Sequence, residues 1–119
     1  MPFFDLGKNR MLDFMSSAAT FMALFSTVPS TIAGNEISGG SYARVAATWD
    51  AASSGQAFLS SNVTFNVPGG SSVSHVGILG TSTGTTIWGY MDVTDETFGG
   101  DGTYTINSTG TYLQISDTA

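Results

Sequence analysis

The chain predicts an all-β fold, an antiparallel β-sandwich of jelly-roll type preceded by a short N-terminal helix. Three observations predict it. Residues 62–90, NVTFNVPGGSSVSHVGILGTSTGTTIWGY, hold three strand-like runs separated by two clear turns. Apolar residues alternate at period 2 in the first of them, with Val63, Phe65 and Val67 on one side and Asn62, Thr64 and Asn66 on the other. Turn residues recur about every 8–12 positions along the chain, the spacing of a sandwich or small barrel of about seven strands.

Each element can be justified in order. Asp5 is a candidate N-cap for a helix carrying Leu6, Met11, Leu12, Phe14 and Met15, and residues 20–26, TFMALFS, follow as a first buried strand. The apolar run 11–25 after Lys8 and Arg10 imitates a signal peptide. Asp13, Ser16 and Ser17 interrupt it, however, and it falls short of the ~20 apolar residues of a membrane span. Residues 1–27 are therefore expected to pack on the domain formed by 28–119, the whole being one domain.

Residues 27–40 carry Pro29, Gly34, Asn35, Gly39 and Gly40 and read as the longest loop. Residues 42–49 read as a strand with Val45, Ala47 and Trp49 on one face, and 51–56 as a small-residue loop. Pro68, Gly69 and Gly70 stop the first central run; the second carries Val76 and Ile78 and ends at Gly80; a turn around Gly84 leads to the third, 87–93. Residues 94–102 read as an acidic, Gly-rich connection. Residues 103–107 and 111–116 read as a closing hairpin that turns at 108–110, with Leu113 and Ile115 inward.

Composition limits the function classes. Charged residues are 10% of the 119, so the surface must be built from the 16 Ser, 16 Thr and 15 Gly. The net charge is -6, and after Arg44 there are six acids and no base, which leaves no cationic surface for nucleic acid. Without cysteine there is no disulfide, thiolate chemistry or Cys-zinc site. No cofactor and no membrane partner is expected.

Among chemical candidates, His75 is the single histidine. Ser74 beside it is expected to point to the opposite face of its strand, so the two should not pair as nucleophile and base. Asp92, Asp95, Glu96 and Asp101 offer the hard oxygens calcium prefers, but their spacing is not that of an EF-hand, and a solvated acidic loop is the favoured reading over a weak calcium candidate. The same acids with Trp88 and Tyr90 could suit a glycosidase, but four acids on one loop fix no carboxylate separation. Trp88 and Tyr90 oppose Ile87, Gly89 and Met91, so this strand is apolar on both faces and asks for cover from a partner chain.

Glu36 to Arg44 (EISGGSYAR), then VTFNVP at 63–68, SHVGILG at 74–80, TTIWGYMDV at 85–93 and Gly100-Asp101-Gly102 together resemble a family of small structural proteins of tailed bacteriophages, labelled tail-fibre or minor structural proteins. The resemblance covers residues 34–116. Such proteins often carry an acid after the Gly-Ile-hydrophobic run, where this chain has Gly80-Thr81. The resemblance implies a virion protein that is not an enzyme and has no catalytic residues to carry over. Its implied partners are other virion proteins, the major capsid or a tail protein, and further copies of itself.

Within that class the sequence favours a multi-copy decoration or minor capsid protein on the head, because the chain has neither the repeats nor the heptads of a fibre shaft. A tail or tail-fibre subunit and a carbohydrate-binding surface module are the alternatives. Phe3, Phe4, Leu6 and Met11, with the loop 27–40, are the candidate docking residues; Trp88 and Tyr90 are candidates for a partner or a sugar.

Overall fold

The structure, a computed structural model, describes residues 4–29, 35–84 and 86–114. It is an antiparallel β protein with one N-terminal helix. The helix α1 spans Asp5–Ala18. Nothing in DLGKNRMLDFMSSA is β-branched, and straight-chain Leu, Lys, Arg and Met favour this conformation. Its N-cap is Phe4, whose carbonyl accepts the first helical bond from the Lys8 amide at 3.0 Å. Asp5, expected as the cap, is instead the first helical residue. At the other end the Ser16 and Ser17 hydroxyls donate to the carbonyls of Asp13 and Phe14, three residues back. None of the described helix is long and apolar enough to cross a membrane.

Eight strands follow among the described residues: β1 (Phe21–Phe25), β2 (Val45–Ala46), β3 (Gln56–Phe58), β4 (Val63–Val67), β5 (Ser72–Leu79), β6 (Gly89–Thr97), β7 (Gly102–Ile106) and β8 (Tyr112–Gln114). They form a four-stranded sheet of order β2-β1-β5-β6 and two ribbons, β3-β8 and β4-β7. Every pairing is antiparallel. The central sheet and the ribbons face each other across one core. Met22 and Leu24 of β1 and Val73, Val76 and Ile78 of β5 meet Val63, Phe65 and Val67 of β4 and Tyr104 and Ile106 of β7. The alternation read in 62–67 is seen as buried and exposed residues in turn along β4.

The opposite face of the four-stranded sheet carries a second cluster, Ala23, Phe25, Leu79 and Ile87. Gly77 makes it possible: a Cβ there would stand 2.7 Å from Cε1 of Phe25, so the ring lies flat on bare backbone.

Four sequence expectations are corrected. The strand 42–49 contracts to Val45–Ala46, because only those residues pair with β1. The loop 51–56 contains a tight hairpin instead: Ser53 and Gln56 exchange backbone bonds around Ser54 (φ 53°) and Gly55 (φ 76°), and β3 begins there. The acidic connection is strand as far as Thr97, held by β5. Finally, 103–107 and 111–116 are not a hairpin with each other, since β7 pairs with β4 and β8 with β3. Ile115 lies outside the described residues.

Helix α1 seats on the 53–56 hairpin through two side chains. Asn9 Oδ1 accepts from the Gly55 amide at 2.9 Å and Asp13 Oδ1 from the Ala52 amide at 2.7 Å. Leu12 and Ala19 are buried beneath it. This anchoring decides which helix face remains outside.

Candidate functional site

The outward face of α1 is strongly apolar. Phe4 is 91% exposed, Phe14 75%, Leu6 66% and Met11 37%. Phe4, Gly7, Met11, Phe14 and Ala18 fall at alternating spacings of three and four, which brings them onto one stripe of a helix. The sequence identified Phe4, Leu6 and Met11. It missed Phe14, read there as an ordinary helix residue, although the three-four spacing from Met11 was the available signal. Phe3 and residues 30–34 of the expected docking loop lie outside the described residues.

Residues 35–44 are fastened to β1 by a polar network that sequence reasoning also missed. Arg44 reaches both oxygens of Glu36, Nη2 to Oε1 at 2.8 Å and Nε to Oε2 at 3.0 Å. The Tyr42 hydroxyl donates to Glu36 Oε2 at 2.8 Å and accepts from the Leu24 amide at 2.9 Å. Burial holds the Tyr42 hydroxyl well above the ordinary tyrosine value; the Leu24 hydrogen bond opposes the shift, and the Glu36 carboxylate adds to it. Glu36 and Arg44 belong to the segment that carried the family resemblance, and here they serve the fold.

Ser74 and His75 do pair, contrary to the sequence expectation. Register shifts between Val73 and His75, whose partners on β6 are Glu96 and Asp92, so the strand alternation fails at Ser74. Ser74 Oγ lies 2.7 Å from His75 Nδ1. On the other ring edge, His75 Nε2 is 4.0 Å from Asp92 Oδ1, beyond hydrogen-bond reach, and the Asp92 side chain is 80% exposed. The imidazole also packs edge-on against Tyr90, centroids 5.9 Å apart. These contacts hold Tyr90 in place on an open face; they do not build an aligned acid-base relay.

The acidic residues do not converge. No group of three or more His, Asp or Glu among the described residues could hold a metal ion. Asp92, Asp95 and Glu96 are strung along β6, and Asp101 Oδ1 accepts from the Gly69 amide at 2.9 Å. Burial raises the Tyr104 hydroxyl above its ordinary value, and the charges of Glu96 and Asp95 add to the effect. Trp88 and Tyr90 are 43% and 55% exposed on the face that carries His75.

One slot opens the sandwich along its side. It measures about 470 Å³ and lies between residues 89–91 of β6 and residues 110–114 at β8. Its floor is the inner, apolar face: Val76, Ile78, Met91, Leu113 and Trp49. The Trp49 indole is fixed there, Nε1 donating to the Ala19 carbonyl at 2.8 Å. A shallower trough continues it along β6 past Asp92 and Thr94, where the Tyr104 hydroxyl donates to the Thr94 carbonyl at 2.5 Å.

No curated protein and no solved structure matches the chain significantly. A family model does, that of the Podophage GP4 fiber I protein gp80, over residues 8–114. The match takes in residues 8–18 of α1 and all eight described strands, including the clamp between Glu36 and Arg44 and the slot. Over nearly its whole length, then, this chain belongs to the podophage GP4 fiber I protein gp80 family.

Proposed function

We propose that this chain is a non-enzymatic structural subunit of the phage virion, built into the tail-fibre assembly in several copies and docked through the outer face of α1. The observation that carries the reading is Phe14 with Phe4 and Met11, apolar groups standing in water on one stripe of a helix whose other side is anchored by Leu12, Asn9 and Asp13. An exposed apolar stripe on a rigid helix is covered in the assembled state by another protein. The fibre designation of the family supports a tail location over the head decoration favoured by sequence alone. Other virion proteins are the partners, and assembly takes place in the host cytoplasm.

Gold-antibody labelling of intact particles tests this reading. Label confined to the tail is expected. Dense label over the head would restore the decoration reading and reject the fibre one. Assembly of particles with a Phe14→Ser chain tests the docking face, and full incorporation would remove the helix from the interface.

A second reading rests on Tyr90 and Trp88, two exposed rings on one face, the first held edge-on by His75. Fixed exposed aromatics suit the apolar faces of a neutral sugar, and the net charge of -6 disfavours an acidic one. Quenching of tryptophan emission by neutral oligosaccharides would support it, and no change with any of them would leave the rings to protein contacts.

A further inference from the structure

The slot between β6 and β8 has a chemistry that the docking helix leaves unexplained. Both of its lips are strand edges. β6 ends the order of the four-stranded sheet, and among the described strands β8 pairs only with β3. No charged residue lines it. Two edges over an apolar floor form an acceptor for an extended segment, which supplies backbone hydrogen bonds to the lips and alternate side chains to the floor.

We propose that the slot receives residues 1–4 of a second copy of this chain, Met1-Pro2-Phe3-Phe4, as an added strand. The side chains of this segment are apolar and uncharged, as the slot requires. Phe4 has extended backbone, φ -71° and ψ 160°, so the chain enters the helix from a strand-compatible conformation. The Phe4 ring is 91% exposed and so does not occupy the slot of its own chain. Two phenylalanines per segment, each bringing about 150–250 Å², approach the ~1,000 Å² of a specific interface when exchanged reciprocally between two copies. The interface concerns the isolated protein, so it stands or falls separately from where the chain sits on the particle.

Trp49 on the slot floor provides the readout. In a Trp88→Phe background it is the only tryptophan, and its emission reports occupancy directly. The full-length chain carrying Phe3→Ser and Phe4→Ser should have an empty slot, and added peptide MPFFDL should shift the Trp49 emission saturably while MPSSDL does not. With Phe14→Ser present to silence the helix stripe, the chain with native Phe3 and Phe4 should sediment above its 12.3 kDa monomer mass, and the two serine changes should return it to that mass. No saturable shift, an equal shift with MPSSDL, or a monomer with Phe3 and Phe4 intact would each overturn the proposal.

Discussion

Arg44 grips Glu36 with two prongs, and Tyr42 ties the same carboxylate to the Leu24 amide of the central sheet. The side chains of Arg44 and Glu36 are only 8% and 17% exposed. Removing the guanidinium therefore leaves a carboxylate with little water to replace it. Arg44→Met should cost about 3 kcal/mol, the lower end for a broken buried pair because Glu36 keeps some solvent contact. Arg44→Lys should recover only part of this, since an ammonium cannot make both prongs. Urea unfolding of the two variants would check the order, and equal stability of Arg44→Met and the parent would show the clamp to be idle.

Two tyrosine hydroxyls, that of Tyr42 in this network and that of Tyr104 beside β6, set an alkaline limit. Tyr42 and Tyr104 both have hydroxyls raised above the ordinary value by burial, so the folded state keeps protons that the unfolded chain releases above about pH 10. Their contribution is fully present below that pH and is lost as pH rises through it. Stability should accordingly fall with pH above about 10. Tyr42→Phe should flatten the fall while costing about 1–2 kcal/mol near neutrality, because the Leu24 amide loses its acceptor. Urea melts across this range would reveal both effects.

Gly77 tests the second core cluster. Its absent side chain admits the Phe25 ring, which is fully buried. Gly77→Ala should destabilise by about 1–3 kcal/mol through overpacking. Phe25→Ala should cost about 3–5 kcal/mol, the usual loss for a buried phenylalanine. If thermal melts showed Gly77→Ala to be neutral, the close approach of the ring would be disproved.

The hairpin beneath α1 has room for improvement. Ser54 sits at φ 53° beside Gly55 at φ 76°, the two positive positions of a type I′ turn. Asparagine tolerates the first position better than serine does. Ser54→Asn should stabilise by about 0.5 kcal/mol, and Ser54→Val should destabilise by more than that because its branched side chain resists positive φ. Melting temperatures in the opposite order would contradict the turn type.

Much of the fold was legible locally. The period-2 signal of Val63, Phe65 and Val67 is as clear in the chain as in β4, and the apolar run that became β1 needed only to be recognised as buried. Failures came where a partner far along the chain decides. Residues 42–49 alternate like a strand, but β1 offers partners to only two of them. Thr103 and Tyr112 flank a convincing turn, yet β4 and β3 compete for the strands on either side. Ser74 escaped the alternation rule through a shift in register that no local pattern announces. The candidate surface was half legible for the same reason: exposure of Phe14 depends on which face of α1 the 53–56 hairpin captures, through Asn9 and Asp13.

That capture separates two adjacent roles on one helix. Leu12 is 3% exposed and Phe14 75%, because residues two apart on a helix point to different faces and meet different neighbours. Leu12→Ala should cost about 2–4 kcal/mol of stability, the loss for a truncated core side chain, and should reduce incorporation into particles only through the amount of folded protein. Phe14→Ser should leave the isolated chain within about 0.5 kcal/mol of the parent, as exposed substitutions do. It should nevertheless be poorly incorporated. Melting temperature and particle incorporation measured on both variants therefore form a crossed test. A destabilised Phe14→Ser chain would mean that the ring belongs to the fold, and a stable chain that still assembles fully would mean that the helix face touches nothing in the virion.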